Sequence, residues 1–185
     1  TGSVLTQSDS NTKIEATGAS SSYVASDVSD IVEAVMPSIV SITNVSESQY
    51  QSFFGGTQTQ QSTSCGSGII VSQDADNLYI ATNNHVVEGA DSLTVAFSDN
   101  TTVSAEIKGT DPSTDLAVIR VALSSIDSDT LNTIKVATLG NSDDLKAGQA
   151  AIAIGNALGY GQSVTTGVIS ALNREVTVSD SNSNT

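Results

Sequence analysis

Hydrophobic positions along this chain fall into short runs, and their spacing changes from helical to extended at Pro37. Val28, Ile31, Val32 and Val35 recur at i, i+3, i+4 and i+7, which predicts one short amphipathic helix capped by Ser26 or Asp27. Pro37 disfavours the helical conformation at Met36, so the helix is expected to end there. Beyond it almost everything reads as strand. Ser38 to Thr43 is the first, followed by a polar, Gln-rich loop from Asn44 to Ser64 that carries Phe53-Phe54-Gly55-Gly56. Gly68 to Ser72 and Asn77 to Thr82 come next, joined by Gln73-Asp74-Ala75-Asp76. Leu93 to Phe97 and Val103 to Ile107 alternate strictly, with a tight hairpin expected over Ser98 to Thr102. Leu116 to Val121 completes a group of about six strands, the number a small barrel needs.

A second group begins near Thr133, with Ala150 to Ile154 and Val164 to Ala171 as its clearest strands. The fold class expected is all-β, with one minor N-terminal helix. Residues 1–25 are rich in Ser, Thr and Gly, lack an apolar period and read as a flexible leader or tether. Residues 26–125 then form a first barrel, and residues 126–185 the beginning of a second, with about three strands before the pure loop sequence from Ser179. On this reading the second barrel is unfinished.

Composition narrows the function classes. The net charge of −14, from 20 acidic against 6 basic residues, argues against nucleic acid and against an anionic membrane surface, both of which draw on Lys and Arg clusters. Solubility is the simplest reading of the charge. No stretch approaches the ~20 apolar residues of a spanning helix, and no signal peptide opens the sequence. The single Cys65 cannot form an internal disulfide, so it does not identify the compartment; the Ser, Thr, Asn and Asp content hints at export. One His, one Cys and scattered carboxylates give no metal-ligand spacing, and no cofactor is expected.

The only histidine, His85, lies just past a strand, and Asp115 just before one. Together they are two thirds of a nucleophile–base–orienter triad, while no Gly-x-Ser-Gly-Gly sequence occurs up to Thr185. Taken singly, a lone histidine is a half-buried polar residue and an aspartate after Pro-Ser-Thr is a turn residue. The flanking motifs in correct order reverse that reading. Gly66-Ser67-Gly68-Ile69-Ile70-Val71, the run Ala81 to Ala90 around His85, and Gly109 to Val118 around Asp115 carry the match. So do Leu139 to Gly148 and Ala153-Ile154-Gly155-Asn156-Ala157-Leu158-Gly159. From about Val28 to Arg174 the chain resembles the HtrA/Deg family of trypsin-fold serine proteases.

The resemblance implies a double β-barrel of six strands each, with its active site in the cleft between barrels. His85 matches the general base and Asp115 the carboxylate that orients it. The nucleophilic serine belongs to a Gly-Asn-Ser-Gly-Gly motif in a complementary C-terminal segment. A homotrimer built through the N-terminal region, unfolded polypeptide substrates, one or two PDZ domains and a cell-envelope or extracellular location with an upstream membrane tether are also implied. The chemistry agrees: a serine hydroxyl is a poor nucleophile until an imidazole, with its ordinary pKa near ~6.5, accepts its proton. A non-catalytic, chaperone-like polypeptide-binding module is the alternative, and an extracellular structural β domain a third; neither needs the His–Asp pair.

Three decoys are set aside. Gly140-Asn141-Ser142 begins like the nucleophile motif, but Asp143-Asp144 follow and would repel an oxyanion, leaving Ser142 a loop or cap residue. Cys65 reads as a structural or incidental thiol rather than half of a thiol dyad with His85. Gly155 to Gly161 lacks the Lys-Ser/Thr of a phosphate loop and reads as a turn. The polar stretch from about Arg174 to Thr185 matches the position of a regulatory loop. Either autoproteolysis there, with the remainder present as a second chain, or a break at a disordered loop is expected.

Overall fold

In the computed structural model of the chain, the structure describes residues 27–51, 57–155 and 163–174. Helix α1 (Ser29–Val35) leads into a 3-10 turn over Met36–Ser38 and then strand β1 (Ile39–Gln51). Strands β2 (Thr57–Gln73), β3 (Asn77–Thr82), β4 (Ser92–Ala96), β5 (Thr102–Asp111) and β6 (Leu116–Ala122) follow, with helix α2 (Asn84–Val87) between β3 and β4. They close into an antiparallel barrel in the order β1-β2-β3-β6-β5-β4, sealed where Ser41–Val45 of β1 pair with β4. After β6 come a 3-10 turn, helix α3 (Ser128–Thr133), and a separate two-stranded sheet of β7 (Ala150–Gly155) and β8 (Ser163–Val168).

Alternation explains the barrel. β3 reads half-buried, buried in strict turn from Asn77 to Thr82, so Leu78 and Ile80 point inward and are fully buried. Val40 and Ile42 from β1, Ile70 from β2, Leu93 and Val95 from β4, and Ile119 and Val121 from β6 join them in one core. Phe97, Val87 and Ile126 belong to the same core. Gly68 sits where a Cβ would come 2.6 Å from Ile80 Cγ2 and 2.9 Å from Ile42 Cδ1, so the core reaches the β2 backbone itself. A bulge between Ile70 and Ser72, and another between Ile107 and Gly109, re-aim their strands around the curve. Asn100, at φ 68°, turns the β4–β5 hairpin, with its N–H on Phe97 O at 2.9 Å.

Several expectations need correction. The stretch Asn44 to Ser64 is not a loop: Asn44–Gln51 and Thr57–Ser64 extend β1 and β2 into one long paired ribbon, in register from Ile39↔Ile69 to Gln51↔Thr57. Phe53-Phe54-Gly55-Gly56 lie outside the described residues. Met36 stays in the right-handed helical region (φ −49°, ψ −41°), because Pro37 is tolerated at the start of the 3-10 turn. Residue Val28 occupies the cap position; Asp27 Oδ1 still accepts the Ser29 N–H at 2.9 Å. The helix's apolar stripe is not buried in this chain: Ile31 is 54% exposed and Val35 38%. Helix α3, where no helix was expected, is pinned by Thr130, whose hydroxyl donates to Asp99 Oδ2 at 2.6 Å. The second group holds two strands among the described residues, with β8 ending at Val168 and not at Ala171.

Candidate active site

His85 sits in α2, a single turn that leaves the end of β3, and Asp115 ends the turn Pro112–Asp115 that leads into β6. β3 and β6 are neighbours, with Thr82 opposite Ala117, so the two residues emerge side by side at the same end of the barrel. Asp115 Oδ2 lies 2.8 Å from His85 Nδ1, and Oδ1 accepts the His85 backbone N–H at 2.9 Å. Both carboxylate oxygens thus address one residue. Those two bonds, first the backbone N–H and then the ring, hold the Asp115 carboxyl below the usual aspartate range. The carboxylate is therefore ionised at neutral pH and fixes the proton on Nδ1, leaving Nε2 as the basic nitrogen. The imidazole is 69% exposed and faces solvent, free to meet a reactant.

The turn that presents Asp115 is held by its own first residue. Asp111 accepts the Ser113 N–H at 3.0 Å, the Ser113 hydroxyl and the Thr114 hydroxyl at 2.8 Å, and the two hydroxyls, Ser113 first, hold its carboxyl below the usual aspartate range. The Asp115 N–H reaches Pro112 O at 3.3 Å, and Asp115 itself is left-handed at φ 53°. Asp is among the few side chains that accept this conformation at modest cost.

Helix α2 is fastened from below. Asn44, buried on β1, donates both amide protons, to Val86 O at 3.0 Å and Glu88 O at 3.1 Å. These are carbonyls at the end of the helical turn that has no intrahelical partner for them. Gly66 on β2 lies against Val86 so closely that a Cβ would collide with both of its methyl groups. Backbone approach at Gly66 thus sets how deep the His85 turn sits. Neither Asn44 nor Gly66 was singled out for a role by motif reading, since one was read as the start of a polar loop and the other only as the first residue of the Gly66–Val71 match.

A cleft opens beside His85 between the barrel and the small sheet. Cys65, Gly66, Ser67 and Asn83 line it on the barrel side; Ala153, Ile154, Gly155, Ser163 and Thr165 line it from β7 and β8. The decoys resolve as follows. Ser142 opens an exposed 3-10 turn capped by Asn141, whose Oδ1 accepts the Asp143 N–H at 3.1 Å. Cys65 lines the cleft and is exposed, with its sulfur 3.9 Å from Thr43 Oγ1 and no bond to His85. Gly155 ends β7, and the rest of that glycine-containing run lies outside the described residues.

A closed antiparallel barrel carrying a His–Asp pair at one rim, beside a cleft to a second sheet, defines a trypsin-like peptidase fold. Residues 66–185 match the family described as trypsin-like peptidase domain, and the chain belongs to it. Within that family its similarity runs to HtrA-type and Do-like serine proteases. It is 40% identical over 163 residues to the serine protease Do-like HtrA of Bacillus subtilis (strain 168), covering 85% of this chain and 35% of the relative. A probable periplasmic serine endoprotease DegP-like of Halomonas elongata is 47% identical over 116 residues, which cover 63% of this chain and 22% of the relative. Among solved structures, the HtrA-type protease AlgW with tripeptide superposes with a TM-score of 0.62 at 32% identity, over 80% of this chain and 41% of that one. AlgW with decapeptide gives 0.62 at 30%, over 80% and 47%. The chain spans about a third of the length of the Bacillus HtrA relative.

Proposed function

We propose that the whole protein is a serine endopeptidase that cleaves unfolded polypeptides by acyl transfer, with His85 as general base and Asp115 as its orienting carboxylate. The observation that carries this reading is the double contact of one carboxylate with His85, ring and backbone, at 2.8 and 2.9 Å. A module that only binds polypeptides gains nothing from it. In the reaction, a serine hydroxyl gives its proton to His85 Nε2 as it attacks the scissile carbonyl. The resulting imidazolium, stabilised by Asp115 through Nδ1–H, then protonates the leaving amine. Water repeats the sequence to free the acyl group. The serine is supplied by a complementary C-terminal segment with a Gly-Asn-Ser-Gly-Gly motif, which also completes the second barrel begun by residues 126–185 after the first barrel of residues 26–125.

AlgW structures with a tripeptide and a decapeptide support a polypeptide as the substrate class. The DegP-like relatives named periplasmic support an envelope or extracellular location. To these we add assembly as a homotrimer and a membrane tether upstream of the barrel, with residues 1–25 as the flexible leader. No helix among the described residues is long and apolar enough to cross a membrane.

The test is casein degradation by the full-length protein. His85→Ala is expected to abolish turnover, and Asp115→Asn to lower it by on the order of 10⁴-fold with the thermal midpoint unchanged, since Asn presents the wrong tautomer partner. Wild-type turnover by the His85→Ala protein, purified free of other proteases, would sink the assignment.

A further inference from the structure

We propose that Asn83 is a positioning residue of the active site, acting through the Asp115 main chain; the inference rests on the catalytic reading of the His85–Asp115 pair. Asn83 stands immediately before helix α2, at its cap position, with extended φ −88° and ψ 148°. An asparagine there ordinarily turns its side-chain oxygen onto its own helix. Here it makes no such cap bond. Its amide nitrogen instead reaches across to the carbonyl oxygen of Asp115 at 3.0 Å. Only the NH₂ end can donate to a carbonyl, so the chemistry leaves one orientation of the amide.

The same carbonyl oxygen also accepts the Asn84 backbone N–H at 3.1 Å. Asp115 therefore does what Asn83 does not: its carbonyl takes the Asn84 N–H and its carboxylate the His85 N–H, the donors the helical turn leaves unpaired. This capping from another strand requires Asp115 to be left-handed, at φ 53°. In an ordinary extended conformation its carbonyl would swing away from Asn83 and Asn84, and its carboxylate away from the imidazole. A conformation of this kind persists only where neighbours over-determine it. From the β3 side, Asn83 supplies the one side-chain bond to that carbonyl; from the β5–β6 side, Asp111 pins the preceding turn. Asn83 is exposed, so its bond is not required to fill the core. Its consequence is orientational: it keeps the carboxylate aimed at Nδ1.

Full-length protein carrying Asn83→Ala, Asn83→Asp or Asn83→Gln tests this by two routes. In kinetics with a fluorogenic peptide, Asn83→Ala is expected to lower kcat about tenfold or more, the scale of a small misplacement, with KM within about twofold. Asn83→Asp, which keeps the shape but replaces the donor, should match it, and Asn83→Gln should recover part of the rate. The double variant Asn83→Ala/Asp115→Asn should be no slower than Asp115→Asn alone, because the two act in series. In proton NMR, the low-field resonance of the His85 ring Nδ1–H should weaken or shift upfield in Asn83→Ala and stay in place in Asn83→Gln. If Asn83→Ala fails to fold, the Asp and Gln variants carry both comparisons. An unchanged kcat and unchanged resonance in Asn83→Ala or Asn83→Asp, or losses that multiply in the double variant, would overturn the proposal. The NMR comparison requires no peptidase activity, so an inactive wild type refutes the function while the positioning role is still decided.

Discussion

The barrel and the small β7–β8 sheet are both built from antiparallel strands, yet among the described residues only the barrel encloses an interior. Ile42, Ile70, Leu78, Ile80 and Ile119 are fully buried, whereas Val164 is 40% exposed and Val168 60%. β7 pairs with β8 in simple antiparallel register from Ala150↔Val168 to Gly155↔Ser163, so its backbone is as regular as that of the barrel. The difference is closure. Six strands that meet their own edge enclose one face of every strand; two strands leave both outer edges and much of both faces open. The segment between α3 and the sheet is tied down by the Ala137 N–H, which donates to Ile70 O of the barrel at 2.8 Å, and by the Lys135 N–H, which donates to Pro37 O at 3.1 Å; from the sheet itself, Gly155 approaches Ser67. One region thus supplies a closed core, the other an open surface beside the His–Asp pair.

That contrast is most open to attack in the cores. Ile80→Ala removes a fully buried side chain and is expected to cost about 2–5 kcal/mol, whereas Val168→Ala should cost less than about 0.5 kcal/mol while the sheet remains open. Urea unfolding of the chain followed by tyrosine fluorescence gives both values. Equal costs would mean that β8 is covered in this chain after all. If a further segment completes the second barrel as proposed, its addition should raise the Val168 cost and leave that of Ile80 unchanged.

A smaller effect is expected at the seam between barrel and site. In Gly66→Ala the new methyl drives Val86 and the His85 turn outward, with an overpacking cost of about 1–3 kcal/mol. Peptidase activity should fall by more than this loss of stability explains, because His85 is displaced relative to Asp115. A crystal structure of the variant with α2 unmoved would contradict the close packing assigned to Gly66.

Acid should loosen the barrel most gently of all. The turn carboxylates Asp74, Asp99, Asp111 and Asp115 are all held below the ordinary aspartate value of 3.8, chiefly by side-chain hydroxyl or backbone N–H donors. Their folded pKa values are depressed, so the folded state binds fewer protons than the unfolded chain between the two values. The stability they contribute is complete above 3.8 and is lost as pH falls through the folded values. Thermal midpoints measured from pH 7 down to 2 should stay level at first and decline below about 4. A midpoint that declines already between pH 7 and 5 would point to another titrating group.

How much of this was legible beforehand depended on whether a residue's role was local. The period-two pattern of Asn77 to Thr82 predicted β3 to the residue, because half-burial on a pleated strand imposes alternation and Asp74 closes the turn before it, accepting the Asp76 and Asn77 N–H groups. The ribbon Asn44–Gln51 with Thr57–Ser64 was invisible for the opposite reason. Its ladder is a matter of backbone hydrogen bonds, which a polar sequence without an alternating apolar pattern does not announce. Helices α2 and α3 are too short for a period to register, and both depend on bonds to distant parts of the barrel: Asn44 of β1 to the end of α2, Thr130 to Asp99 in the β4–β5 turn. His85 and Asp115 stood out as residue types with a fitting neighbourhood, and the sequence alone determined that pair of candidates along with the alternating core. Only the tertiary structure decided that the carboxylate meets ring and backbone together, that Asp115 is left-handed, and that Asn83 turns away from its own helix to hold it. The physical reason is that hydrogen-bond geometry across 30 residues is set by the register of β3 on β6, and register is a property of the closed barrel.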